Sequence, residues 1–204
     1  VSAGEFVPFA EQSGQIIPLG RIVIRTLACE MPTWLVGASA DFFVSVNLSV
    51  KELADVPLVD ELLGGGLSPH LDRLIVEVTE SLELQESSEA ERNLERLRAE
   101  GVRIAIDDFG AGFSNFTRLE HLRPSLIKID RSLVRRAGSE KEGGVAFLTA
   151  ATSVAASLKC DVVAEGVETQ AEAEVVQLLG IAYVQGFRFQ KPGPIEEFRP
   201  EIVG

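Results

Sequence analysis

Cysteine and histidine are scarce in this sequence, two of each in 204 residues, and that scarcity removes several kinds of chemistry. Cys29 and Cys160 lie far apart with no C-x-x-C spacing, so neither a zinc cluster nor a disulfide framework is written here. Both fall in apolar, pattern-consistent stretches and read as plain buried thiols. His70 and His121 are isolated from any ligand-like pattern and read as surface residues. Long apolar runs are missing too. The longest, such as Val145 to Ala156, is broken by Thr and Ser and falls short of the ~18 to 20 residues of a bilayer-spanning helix. The opening residues, Val1-Ser2-Ala3-Gly4-Glu5, lack the basic start and apolar stretch of a signal peptide. The expected location is cytoplasmic, whether free or as the cytoplasmic part of a larger, membrane-attached protein. Positive charge is also short, with 19 Lys and Arg against 31 Asp and Glu, for a net charge of -12. Such a surface repels polyanions, so no DNA or RNA binding is expected, and a phosphate ligand would need a metal to mediate it.

What is present is ordinary globular composition, 46% hydrophobic and 25% charged, in a length that suits one domain over residues 1–204. Short β-branched or aromatic runs recur at Phe43 to Val46, Leu74 to Val78, Val102 to Ile106, Leu126 to Ile129, Asp161 to Ala164 and Ala182 to Val184. Helical stretches separate them, which predicts parallel β/α architecture. Helices are expected over Glu5 to Glu11, from Pro18 through Ile22 to Cys29, and over Ser88 to Glu100. In the last, Ser88 and Glu91 form a capping-box pair, Ala90, Leu94 and Leu97 share a face, and Gly101 stands at the C-terminal stop. Thr169, Glu172 and Gly180 repeat the pattern, and Gly64-Gly65-Gly66 reads as a helix stop and connector. The fold class expected is an α/β barrel of the TIM type. Six strands are legible where a closed barrel needs about eight, so the absent strands are expected upstream of Val1.

Polar residues cluster where these strands end. Asn47 ends the first run, Glu77 and Glu80 the second, Asp107-Asp108 the third, Glu165 the fifth and Gln185 the sixth, with Lys128 inside the fourth. C-terminal strand ends are the rim on which β/α barrels assemble active sites. One acidic residue after a strand is ordinarily a solvated turn or a cap, but a series over successive units is not. Rich in oxygen and free of sulfur and imidazole, the set suits Mg²⁺ or Mn²⁺. Asp107-Asp108 could bridge two such ions about 3.5 to 4 Å apart, an arrangement suited to phosphodiester cleavage. Lys128, flanked by Leu126, Ile127 and Ile129, is expected to be buried and to stabilise a water or phosphate oxygen. The same residues would also serve an enolase-like barrel that removes a proton next to a carboxylate. The glycines of Asp107 to Ser114 do not complete a dinucleotide fingerprint, because Asn115 occupies the third glycine position; a mobile loop over the site is expected instead.

Taken in order, VSVNLS around Asn47, VEVTES around Glu77 and DDFGAGFSNF from Asp107 resemble the successive signatures of EAL domains. So do KIDRS from Lys128, AEGVET from Ala164 and QGFRFQKP from Gln185, while EFVPFAEQSG from Glu5 is similar to the segment that follows the family's EAL tripeptide. The resemblance implies a modified (β/α)₈ barrel that hydrolyses cyclic di-GMP to linear pGpG with two Mg²⁺ or Mn²⁺ ions, in bacterial second-messenger signalling and biofilm regulation. It implies Asn47, Glu77, Asp107, Asp108 and Glu165 as metal ligands, Lys128 beside the attacking water, and Glu80 steadying the loop after Asp107-Asp108. Glu168, Gln185 and Phe187 match positions near metal or substrate, Phe187 standing where the family often has Tyr. The tripeptide's own Glu and a nearby phosphate-contacting Arg are not found in the chain as it starts at Val1, from which weak or absent catalysis by these residues alone is expected. A cyclic di-GMP receptor or protein-interaction module without turnover is the alternative. A homodimer and an upstream diguanylate cyclase-like or sensory domain are the expected partners.

Overall fold

The computed structural model describes residues 3–80, 88–111, 116–139 and 143–194. Two compact units emerge from its packing: Val1–Asp107 with Ser114–Leu126, and Asp108–Phe113 with Ile127–Gly204.

The first unit carries helices α1 (Ala3–Ser13) and α2 (Ile16–Trp34), strand β1 (Val44–Asn47), helices α3 (Val50–Ala54) and α4 (Val56–Leu63), and a 3₁₀ segment over Gly65–Arg73. Strand β2 (Leu74–Thr79), helix α5 (Glu89–Ala99), strand β3 (Arg103–Phe109) and helix α6 (Phe116–Leu122) follow, β3 ending in the second unit. Its strands β1, β2 and β3 pair in parallel, with Asn47 opposite Glu77 and Thr79 opposite Asp107. Strands buried on both faces require near-continuous apolar runs, and Leu74 to Val78 is buried throughout, Glu77 included. Ile24, Met31, Leu58, Leu62, Leu94 and Ile104 form part of the fully buried core.

The second unit holds the end of β3, strand β4 (Leu126–Ile129, which enters from the first unit), helices α7 (Arg131–Gly138) and α8 (Gly144–Leu158), strand β5 (Asp161–Ala164), helix α9 (Gln170–Leu178) and strand β6 (Tyr183–Val184). Hydrogen bonds step along these strand ends in chain order. The Asp130 N–H donates to the Phe109 carbonyl (3.1 Å), Glu165 to Ile129 (3.1 Å) and Gln185 to Ala164 (2.9 Å). Parallel strands taken in chain order with helical crossovers are the winding of (β/α) barrels, and the fold class is α/β of that type.

Sequence expectations meet the structure closely at the strands: five of the six lie within one residue of the apolar runs, and β3 runs on to Phe109, three residues past Ile106. The first helices run longer than Glu5 to Glu11 and start earlier than Pro18. Pro18 falls in the first turn of α2, where its missing N–H costs nothing. Gly101 and Gly180 take left-handed φ of +93° and +69° at helix ends, as expected. Gly64 caps α4, but the glycines lead directly into the 3₁₀ segment rather than an open connector. The cysteines need correction: Cys29 is exposed and Cys160 only half-buried. Burial, aided by Asp161, pushes the Cys160 thiol up to about 11. His121 is exposed and His70 half-buried.

One capping box escaped the sequence reading although its S-x-x-E signature is plain. The Ser49 N–H donates to Glu52 Oε2 (2.8 Å), and the Glu52 N–H to Ser49 Oγ (3.3 Å). The Glu52 carboxylate is buried and lies against Gly20 of α2, where a Cβ would stand 2.2 Å from Glu52 Oε1. Burial raises the Glu52 pKa against the opposing bonds from Ser49. A carboxyl that holds its proton more tightly folded than unfolded contributes stability at low pH and loses it as pH rises through the folded value. Urea midpoints should therefore shift in favour of Glu52→Gln relative to the parent between about pH 4.5 and pH 7.5, by on the order of 1 kcal/mol. Parallel curves for the two proteins would show that Glu52 does not titrate differently on folding.

Candidate metal centre at the strand ends

Each unit gathers part of the residue set. In the first, the β1–β2 register places Asn47 beside Glu77, and Asn47 Nδ2 donates to Glu77 Oε2 at 3.2 Å. Asn47 is exposed while Glu77 is buried, so an amide at the surface covers a carboxylate beneath it. The Leu48 N–H donates to the Glu77 carbonyl (3.0 Å), carrying the ladder one residue beyond β1. Glu80, half-buried just past β2, donates its N–H to the Asp107 carbonyl at 3.0 Å. That bond ties the residue read as a loop anchor to the strand end carrying the aspartates.

In the second unit, Asp108, Lys128 and Glu165 come together. The carboxylate oxygens of Asp108 and Glu165 lie within 4.8 Å of each other, a spacing that one cation could span. Lys128 is buried in β4, as its apolar neighbours predict, and its Nζ lies 2.7 Å from Glu165 Oε1, with side-chain exposures of 8% and 16%. Removing one member of so buried a pair deprives the other charge of this ion-pair partner where water is scarce.

Two neighbours in a regular strand would send their side chains to opposite faces. Asp108 departs from that rule with φ of +56°, a left-handed conformation that Asp and Asn adopt more readily than other side-chain-bearing residues. Backbone strain of this kind gathers at functional sites. The rest of the loop, Gly112 to Asn115, on which the expectation of mobility falls, lies outside the described residues.

Gln185 and Phe187 follow β6, and Glu168 stands three residues past Glu165; all three are exposed. Gln185 is fixed through its backbone, donating to Ala164 and accepting from the Val167 N–H at 3.1 Å. Phe187 is 57% exposed, and Lys191 Nζ stands over its ring, 5.9 Å from the centroid. The carboxylates of Asp108 and Glu165 are hard oxygen donors that repel one another at this spacing without a cation, so they fit a hard divalent ion.

The model of the EAL domain matches residues 1–192. The chain belongs to the EAL domain family. This EAL domain is 37% identical over 205 residues to the bifunctional diguanylate cyclase/cyclic di-GMP phosphodiesterase MucR of Pseudomonas aeruginosa, covering 100% of the chain and 30% of that relative. Against a solved structure described as the PaMucR phosphodiesterase in complex with c-di-GMP, it has a TM-score of 0.86 and 36% identity, covering 97% of the chain and 80% of the other. A manganese and cyclic di-GMP complex of Klebsiella pneumoniae BlrP1 matches with a TM-score of 0.69 and 31% identity, over 94% of the chain and 46% of the other. The EAL domain thus spans less than a third of the length of its full curated relative.

Converting Lys128 to Met removes the cation beside Glu165 and should lower unfolding free energy by about 3 kcal/mol. Adding Glu165→Gln should restore a large part of it. Equal urea midpoints for Lys128→Met and the parent would show that the pair is not held in the folded protein.

Proposed function

We propose that this EAL domain hydrolyses cyclic di-GMP to the linear dinucleotide pGpG. The buried Lys128–Glu165 pair with Asp108 beside it carries the reading, because it sets a donor, a general acceptor and a metal-ligating carboxylate at one strand-end position. Asn47, Glu77, Asp107, Asp108 and Glu165 would hold two Mg²⁺ or Mn²⁺ ions. When bound, these supply positive charge for the phosphate and lower the pKa of water.

The chain's own residues have separate tasks. Lys128 donates a hydrogen bond to the oxygen of the attacking water, while Glu165, its ion-pair partner, accepts from the same water and orients it toward phosphorus. Water adds to phosphorus as the bond to the ribose 3′ oxygen breaks, leaving a 5′ phosphate on one guanosine and a free 3′ hydroxyl on the other. Asn47, aligned by its bond to Glu77, presents its amide oxygen outward. Glu80 steadies the segment after Asp107-Asp108 through the Asp107 carbonyl. Gln185, Glu168 and the exposed Phe187 offer polar and stacking contacts to the dinucleotide. The net charge of -12 matters here: with a surface that otherwise repels it, an anionic substrate would depend on Lys128 and on the cations these residues would hold.

Residues 1–204 belong to one catalytic EAL domain, working in the cytoplasm as a homodimer and fused, as the bifunctional relative's name suggests, to a diguanylate cyclase-like or sensory domain.

Incubating the domain, within its full-length protein, with cyclic di-GMP and Mn²⁺ should yield pGpG, and EDTA should stop the reaction. Asp108→Asn, at an exposed position, should keep the parent's stability and lose at least about a hundredfold in kcat. Tight nucleotide binding with no pGpG formed would replace the enzyme by a receptor.

A further inference from the structure

The segment Glu165-Gly166-Val167-Glu168-Thr169 connects β5 to α9 and carries two of the proposed site residues. Its backbone N–H groups have specific acceptors. Glu165 donates to the Ile129 carbonyl (3.1 Å) and Val167 to the Gln185 carbonyl (3.1 Å), so neighbouring strands hold the first part. The second part depends on one side chain: the N–H groups of Glu168 and Thr169 both donate to Glu172 Oε2, each at 2.8 Å. Thr169 Oγ1 answers by accepting the Glu172 N–H at 3.3 Å, closing a capping box at the start of α9.

An ordinary capping glutamate sits at the surface, whereas Glu172 is 5% exposed. It is covered by α7, the helix that leaves β4 directly after Lys128, and the contact point on α7 is Gly138. A Cβ there would stand 2.6 Å from Glu172 Cγ and 3.0 Å from its Cα and backbone nitrogen. Burial pushes the Glu172 carboxyl up, but the two backbone N–H bonds, Thr169 and the nearby Arg135 outweigh it, and the net shift is downward. The ionised form that accepts both bonds is the one the fold favours.

We infer that Glu172, seated against Gly138, is a positioning residue that sets Glu165 and Glu168 relative to Lys128. It acts by fixing the connecting backbone at its far end while the strand ladder fixes the near end. The inference rests on the functional reading above, and it places the required acceptor at a residue that touches neither water nor phosphate. Ser49 and Glu52 build the same device after β1, with the carboxylate buried against Gly20, two residues beyond Asn47. A buried capping glutamate facing a helix glycine therefore underlies a proposed ligand segment in each unit.

The test compares Glu172→Ala, Glu172→Asp and Glu172→Gln in the full-length protein. Aspartate is one methylene too short to reach both amides but keeps the charge, and serves if the alanine variant does not fold. Glutamine keeps an acceptor oxygen at full reach. Amide exchange at Glu168 and Thr169 should quicken at least about tenfold in the alanine or aspartate variant, with Ile104 and Ile106 unchanged. Mn²⁺ affinity and kcat should each fall about tenfold or more, since small displacements of site groups are costly, and KM should change less. Glutamine should restore all three. Faster exchange at the two amides with parental Mn²⁺ affinity and kcat would overturn the inference and leave Glu172 a helix cap only, as would failure of glutamine to rescue. A parent protein that binds no Mn²⁺ would instead sink the functional reading, and the positioning role with it.

Discussion

Parallel strand register is the constraint on which this structure depends. A parallel ladder leaves every strand pointing the same way, so its C-terminal ends lie along one edge. The β1–β2–β3 pairing sets Asn47 against Glu77 and brings Thr79 level with Asp107. In the other unit, single hydrogen bonds from Asp130, Glu165 and Gln185 carry the order from β3 through β6. A slip of one residue in any strand would turn its ligand to the opposite face. The apolar strands hold the chemistry in place because Leu74 to Val78 and Leu126 to Ile129 cannot slide without exposing buried side chains.

Charge is then managed against that frame. The protein is strongly acidic, yet it buries Glu52, Glu77 and Glu172. Each has a stated partner: backbone and hydroxyl at Ser49, the Asn47 amide, and the paired amides before α9. Among the described residues Lys128 is the buried cation, and it faces Glu165. Buried carboxylates that already have hydrogen bonds are costly to move. Hydrogen bonds of this kind, made before any cation arrives, would give the proposed ligand segments the preorganisation that electrostatic catalysis requires.

Much of this was legible in the residues. Apolar runs located the strands because parallel strands buried on both faces tolerate little else, and the polar residues that ended them marked the candidate site. Burial of Lys128 followed from Leu126, Ile127 and Ile129. What could not be read was anything set by tertiary approach. The cysteines sat in apolar stretches, but which face of α2 meets the core left Cys29 outside. Thr169 and Glu172 announced a cap, whereas the burial of that carboxylate depends on Gly138, more than thirty positions away. The left-handed backbone at Asp108 has no sequence signature beyond Asp itself being tolerant of it.

That backbone angle also shapes how the family position can drift. At φ of +56° glycine fits without penalty, and asparagine and aspartate fit more readily than other side-chain-bearing residues, although Lys159 adopts φ of +58° elsewhere in the protein. A lineage released from turnover would not scatter evenly over twenty amino acids at position 108. It would be funnelled toward Asp-Asn or Asp-Gly, so the decayed site keeps a recognisable scar of the geometry it once served.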